Sequence, residues 1–312
     1  MKTKIITSYY AYHFGEPFWG HKNRERWYMY SLISLCNMGE TIICYTDEND
    51  KGYNKLQIIK EKHKLDNLTI KIFKLSDNPW QEKIYKIRML EKNSYLNNPL
   101  DWRYECSSQI YWLKWYFMKE EFEPNINLYW IDCGLSHGGL FPKSTNPYAD
   151  SENYMKHFPD ENGVDVEFRY YQFTRAFNPE FVKKVNNWHD GKIINLYNNT
   201  STNQNFGNFL RFLNLENTLS QTSVIIFPVA GFWGGNSNLI PKYTSEYFKM
   251  IDKILELDNY LVPDEEIMTY VNTMHSDMFK NWEFTTFFHE DSGSFNLNTD
   301  KSFSFFFRKE LE

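Results

Sequence analysis

Four short stretches carry the side chains that could do chemistry. The first is Leu128-Tyr129-Trp130-Ile131-Asp132-Cys133-Gly134-Leu135. A near-continuous apolar run suits a strand buried on both faces, and this one ends in a single carboxylate followed by small residues. In open α/β sheets ligands bind outside the carboxyl ends of the strands, so Asp132 stands where chemistry is expected. A carboxylate there can hold a divalent ion against a diphosphate. Gly134 and the run His137-Gly138-Gly139 would let a substrate approach the backbone closely. The plain alternative is a glycine-rich surface turn that happens to carry an Asp.

The second stretch is Phe227-Pro228-Val229-Ala230-Gly231-Phe232-Trp233-Gly234-Gly235-Asn236. Here Gly231, Gly234 and Gly235 with Phe232 and Trp233 form a candidate substrate wall: a ring for sugar stacking, glycines for close approach. Its spacing matches neither a P-loop nor a dinucleotide fingerprint, and a tight turn with core aromatics is the competing reading. The third stretch, Pro263-Asp264-Glu265-Glu266, opens a helix. Capping and the helix dipole account for at least one of the three carboxylates, and another can enter a cleft as base or nucleophile. The fourth is His289-Glu290-Asp291, where His289 is a candidate metal ligand beside an otherwise solvated loop. Among the cations, Lys114 sits in an aromatic helix just before the Asp132 strand. It joins Arg24, Arg88 and Arg175 as a group that could meet phosphate.

The elements that must position these residues follow from periodicity. Residues 1–75 read as β-α-β-α-β: strands at Lys4–Tyr12, Thr41–Tyr45 and Leu68–Leu75, and helices around Met29–Cys36 and Asn54–His63. Gly39 ends the first helix. That alternation implies an α/β fold with a mixed, mostly parallel sheet flanked by helices. Helices at Pro79–Asn93 and Ser107–Phe122 lead to the Asp132 strand. Beyond it, Phe168–Phe173 and Val224–Phe227 read as strands and Asn195–Asn208 as an Asn-rich connecting loop. Helices follow around Tyr247–Ile254 and Ile267–Met274, with strand-like Phe284–Phe288 and Ser302–Phe307 at the end.

Bulk properties bound the function. The 312 residues suit one large domain, 1–312. Aromatic residues make up 19 %, so most of them must be core rather than binding surface. The net charge of -6, with no Lys/Arg cluster, argues against a nucleic-acid partner or an anionic membrane surface. The cysteines Cys36, Cys44, Cys106 and Cys133 show no C-x-x-C spacing and read as reduced structural thiols of a cytoplasmic protein, with peripheral membrane contact still open to it. No signal-peptide pattern and no transmembrane segment is expected.

Taken together, Trp130-Ile131-Asp132-Cys133-Gly134-Leu135, Gly231-Phe232-Trp233-Gly234-Gly235 and Asp264-Glu265-Glu266-Ile267 resemble the corresponding parts of GT-A glycosyltransferases. They are most similar to the HtrL/YibB family, associated with bacterial surface polysaccharide and lipopolysaccharide genes. The resemblance implies a GT-A-like fold with a nucleotide-sugar-binding half, 1–135, and an acceptor-side half, 136–312. It implies a nucleotide-sugar donor, UDP-sugars favoured, and a glycan or other hydroxyl acceptor. Asp132 stands at the metal motif, whose common form is Asp-x-Asp. Position 134 is Gly here, so either diphosphate, water and a further group such as His289 complete the shell of Mn²⁺ or Mg²⁺ at Asp132, or the metal is weakly bound or absent. By the same resemblance Tyr9 and Tyr10 line the base pocket, Gly231–Gly235 face sugar and acceptor, and Glu265 or Glu266 acts near the anomeric carbon. In a transfer from a nucleotide diphosphate, a metal at Asp132 or a cation such as Lys114 would stabilise the leaving group electrostatically. Three rivals stand beside this reading: a sugar-binding or scaffold protein without catalysis, a glycoside hydrolase with paired carboxylates, and a viral or phage transferase with another acceptor.

Overall fold

The computed structural model describes residues 1–10, 32–33, 35–36, 38–94, 111–133, 179–197, 228–257, 261–262 and 264–283. In chain order its main elements are β1 (Thr3–Ser8), β2 (Thr41–Thr46), α1 (Lys51–Lys62), β3 (Leu68–Ile72), α2 (Gln81–Ser94), α3 (Leu113–Glu120), β4 (Asn127–Ile131), α4 (Pro179–Trp188), β5 (Ile193–Tyr197), β6 (Pro228–Asn236), α5 (Ile240–Glu256), α6 (Asp264–Met274) and β7 (Phe279–Glu283). The strands form one sheet in the order β3-β2-β1-β4-β6-β5-β7. β6 runs antiparallel to both of its neighbours, and every other pairing is parallel.

Side-chain alternation along the strands divides the core in two. One face buries Ile6, Ile43, Leu128, Trp130 and Trp233 beneath α2, α3, α5 and α6. The other buries Ile5, Ile42, Cys44, Tyr129 and Phe232 beneath α1, α4 and the helical residues Leu32, Leu35 and Cys36. The fold is therefore α/β, with a mostly parallel sheet covered on both faces. The central strands β2 and β4 are apolar along nearly their whole length because both of their faces are covered. Each such Ile or Leu contributes about 1.5–3 kcal/mol on burial. On α5, Tyr243, Tyr247, Met250, Ile251 and Ile254 form the stripe that seats the helix on α3 and α6.

The first half follows the sequence reading closely. Gly39 takes φ 76° after Cys36, and its N–H donates to the Cys36 carbonyl at 3.2 Å. The second half does not. Asn195 was expected to open a loop, yet Ile193–Tyr197 is β5, held between β6 and β7. Pairing on both edges overrides the poor strand propensity of Asn. The glycine-rich stretch expected as a substrate wall, or alternatively a tight turn, is β6, inside the sheet. The expected strands at 168–173, 224–227, 284–288 and 302–307 lie outside the described residues. Cys36, Cys44 and Cys133 are free and buried, and burial pushes the Cys36 thiol up to about 12, the state of an inert structural thiol.

Candidate functional site

The strand order reverses direction between β1 and β4. β2 and β3 extend the sheet on one side of β1, while β4 lies on the other. A crevice outside the carboxyl ends of strands at such a switch point is where open α/β sheets bind ligands. Asp132 is the first residue past β4, and Tyr9 and Tyr10 follow β1 directly.

Antiparallel β6 brings its first half to the same place. Phe232 pairs with Ile131, and the Asp132 N–H donates to the Gly231 carbonyl at 2.8 Å. On its other edge the ladder with β5 is broken: Asn195 pairs with Trp233, but Leu196 pairs with Val229. Ala230, Gly231 and Phe232 are thus extra residues on β6, and a bulge of this kind leaves backbone groups to be met from elsewhere. Side chains from two helices meet them at Ala230. The Ala230 carbonyl accepts from Lys114 Nζ at 3.3 Å, and its N–H makes a long, weak bond to Glu265 Oε1 at 3.4 Å.

Lys114 is the charged exception on α3, whose other inward residues are Leu113, Trp115, Phe117 and Met118. Its ammonium lies 3.2 Å from Asp132 Oδ1, 3.5 Å from Asp132 Oδ2 and 3.0 Å from Asp264 Oδ2. The ring of Tyr111 flanks it with its centroid at 4.9 Å. The Asp264 contact is an ion pair without the alignment of a hydrogen bond at Oδ2. Asp132 also accepts a short bond from Trp130 Nε1 at 2.7 Å. The side chains of Lys114 and Asp264 are each only 5 % exposed, while that of Asp132 is 38 % exposed. Asp132 is therefore the open carboxylate of the group, and the other two lie beneath it. Behind Lys114 the wall is rigid: Trp115 is stacked between Trp233, at 4.9 Å, and Tyr247, at 3.7 Å.

These positions set the protonation states. Burial alone would lower the Lys114 pKa, but the charges of Asp132 and Asp264 more than offset it, so the ammonium is held above its usual range. Burial raises Asp264, with Lys114 opposing the rise and the like charge of Asp132 adding to it. Glu265 is pushed up to about 7, first by lost hydration and then by the neighbouring Asp264. Its own surface is nonetheless open to solvent.

Of the residues singled out in the sequence, the structure brings together Lys114, Asp132, Gly231, Asp264 and Glu265. Glu266 points about 100° around α6 from Glu265 and is buried, so it does not share the open position. Four expectations need correction. The rings of Phe232 and Trp233 do not wall a substrate. Trp233 packs edge-on to Tyr243 at 5.1 Å besides stacking on Trp115, and Phe232 stacks on Tyr129 at 5.9 Å in the opposite core. Gly234 and Gly235 serve strand packing. They pair with Tyr129 and Leu128, away from the Asp132 end of β4, and a Cβ on them would stand 2.3 Å from the Leu128 carbonyl oxygen and 2.4 Å from that of Lys192. Tyr9 and Tyr10 occupy the expected place, but both rings are buried in the core, with the Tyr10 hydroxyl donating to the Phe73 carbonyl at 3.3 Å. Lys114, expected at phosphate, is engaged instead by ion pairs to Asp132 and Asp264 and by a hydrogen bond to the Ala230 carbonyl. Gly134, His137, Arg24, Arg175 and His289 lie outside the described residues. Sequence reasoning missed Trp130 and Ala230. Trp130 was recoverable, since it precedes Asp132 by two residues and so shares its face, whereas Ala230 carried no signal.

The metal expected at Asp132 can be tested against this donor set. Mg²⁺ and Mn²⁺ take oxygen ligands, usually carboxylates with water and substrate phosphates. Both oxygens of Asp132 face an ammonium within 3.5 Å, and one also accepts the Trp130 N–H. Among the described residues no three His, Cys, Asp or Glu side chains converge as a ligand set. The described residues therefore do not fit an ion held by the protein itself.

No family model matches the chain, and no curated protein does. A solved structure that aligns with it is the apo form of mouse xyloside xylosyltransferase 1, at 12 % identity over 90 % of this chain and 84 % of that one, with a TM-score of 0.36. A likeness at that level assigns neither a family nor a substrate. No helix among the described residues is long and apolar enough to cross a membrane.

Proposed function

We propose that this chain is a GT-A-type glycosyltransferase of the HtrL/YibB kind, moving a sugar from a nucleotide diphosphate sugar, UDP-linked sugars favoured, to a glycan hydroxyl. The observation that carries the reading is the convergence of Asp132, Lys114, Asp264 and Glu265 at the switch point of the sheet. In this reading residues 1–135 hold the donor and 136–312 the acceptor. Asp132, the open carboxylate, accepts hydrogen bonds from the donor sugar. Glu265 takes the proton of the acceptor hydroxyl, whose oxygen bonds to the anomeric carbon. The bond from that carbon to the diphosphate breaks, and the nucleotide diphosphate leaves with the electron pair. A carboxyl whose pKa lies near the working pH suits that transfer. The same openness and tuning favour a base over a buried nucleophile.

Thermal unfolding against UDP, GDP, CDP and dTDP and their sugars, each with and without Mn²⁺, tests the reading. A ligand at about 100 times its dissociation constant adds about 2.7 kcal/mol. One nucleotide family should raise the unfolding temperature of the wild type. Asp132→Ala should lose sugar transfer while unfolding at the wild-type temperature without ligand. Full transfer by Asp132→Ala, or no shift across the panel in folded protein, would sink the assignment.

A further inference from the structure

Lys114 and Asp264 are too deep to act as ligands of a donor. Their side chains are each 5 % exposed and in contact at 3.0 Å. The ammonium is further engaged by Asp132 and by hydrogen bonding to the Ala230 carbonyl. Ala230 is the hub: Lys114 reaches its carbonyl from α3, and Glu265 reaches its N–H from α6. Both contacts fall where the β5–β6 ladder is interrupted. Asp264 precedes Glu265 on α6, so the charge of the buried pair acts on Glu265.

We propose that Lys114 and Asp264 are a buried positioning pair that fastens the break in β6 and sets the field in which Glu265 holds and releases its proton. This rests on the reading of Glu265 as the base. The groups that face Glu265 are Asp264 and Glu266 on its own helix, Lys114 from α3 and the Ala230 N–H from β6. Tyr247 on α5 is also within electrostatic reach. Asp132 contacts Lys114 at 3.2 Å. Asp264 and Glu266 disfavour the Glu265 anion, whereas Lys114 and the Ala230 N–H favour it, and Asp264 outweighs Lys114.

Carboxyl-carbon NMR titration of the full chain, from about pH 4 to about pH 9, tests this on wild type, Asp264→Asn and the double variant Lys114→Met/Asp264→Asn. The wild-type Glu265 midpoint should lie near 7. Asp264→Asn removes the anion and keeps the cation, so its midpoint should be the lowest, down by about one pH unit. The double variant removes both and should fall between the other two. That order is an electrostatic signature that a purely structural role does not produce. The double variant also leaves no buried charge of the pair unpaired, so it remains a folded reference if the single one unfolds. Midpoints that coincide, or a double variant below Asp264→Asn, overturn the proposal. No nucleotide or sugar enters the measurement. Ordered midpoints without any transfer activity would therefore sink the transferase reading alone, and transfer with coincident midpoints would sink the positioning pair alone.

Discussion

Lys114 shows how far the identity of a residue is from its role. In the sequence it is a cation among aromatics. In the fold it is the counter-charge to a carboxylate as buried as itself. Removing it should be costly for a reason unrelated to ligands. Lys114→Met leaves Asp264 buried without its counter-charge, and breaking a buried pair from one side costs about 3–5 kcal/mol. Against a typical total of about 5–15 kcal/mol, that is a large share. Adding Asp264→Asn replaces the pair with neutral groups of similar volume and should recover most of the loss. Urea unfolding of the single and double variants measures this directly. A Lys114→Met protein within about 1 kcal/mol of wild type would mean that Asp264 reaches water, contrary to its burial. Asp132 is the contrast. It shares the same ammonium but is open to solvent, so its loss should fall on binding and not on folding.

Among the elements, β6 does the most to assemble the site, and it is held in place by glycines that read as a substrate wall. Gly234 has φ 137°, and a Cβ there would lie 2.3 Å from the Leu128 carbonyl oxygen and 2.6 Å from Tyr129 Cα. Both are backbone atoms of β4 and cannot swing aside. Gly234→Ala should therefore cost about 3 kcal/mol or more, from strain and overlap together. Gly191 is the control: its φ is 76°, and the nearest atom to a Cβ is Asn236 Nδ2 at 3.8 Å. Gly191→Ala should show only the left-handed backbone penalty, about 1–2 kcal/mol. Equal losses in urea unfolding would mean that β6 does not approach β4 so closely. The same strand explains what the sequence could and could not disclose. β4 and Asp132 were legible because an apolar run ending in a carboxylate is a local pattern. So was the acidic start of α6, because a helix start is local too. β5, β6 and β7 were not, since Asn195, Gly234 and Gly235 acquire strand geometry only from partners distant in the chain. Glycines that admit a neighbouring strand have the same composition as glycines that admit a substrate, which is why 231–235 read as a wall. The partners of Lys114 were hidden for the same reason: three elements meet at its Nζ, and no spacing announces it.

At the scale of the whole molecule the charges raise a question that local geometry does not. The chain carries a net charge of -6. Within the cleft, Asp132 and Asp264 share one lysine, so even with Glu265 protonated the cluster remains negative. A nucleotide diphosphate sugar is itself an anion, and both the long-range field and the local one oppose its approach. Under the proposed function, its binding energy must then come from short-range contacts in the cleft. This gives a salt dependence of definite sign. Raising the ionic strength from about 0.01 M to about 0.15 M shortens the screening length from about 30 Å to about 8 Å. Repulsion between donor and protein weakens over that range while contacts inside the cleft persist, so the association rate of the donor should rise with salt. Stopped-flow binding of a fluorescent nucleotide sugar at several salt concentrations reads the slope. A steep fall would mean that cations gather at the mouth of the cleft and outweigh both the acidic cluster and the net charge. The sign of that slope thus decides whether the donor is drawn in by the field of the protein or is held, once it arrives, by the site alone.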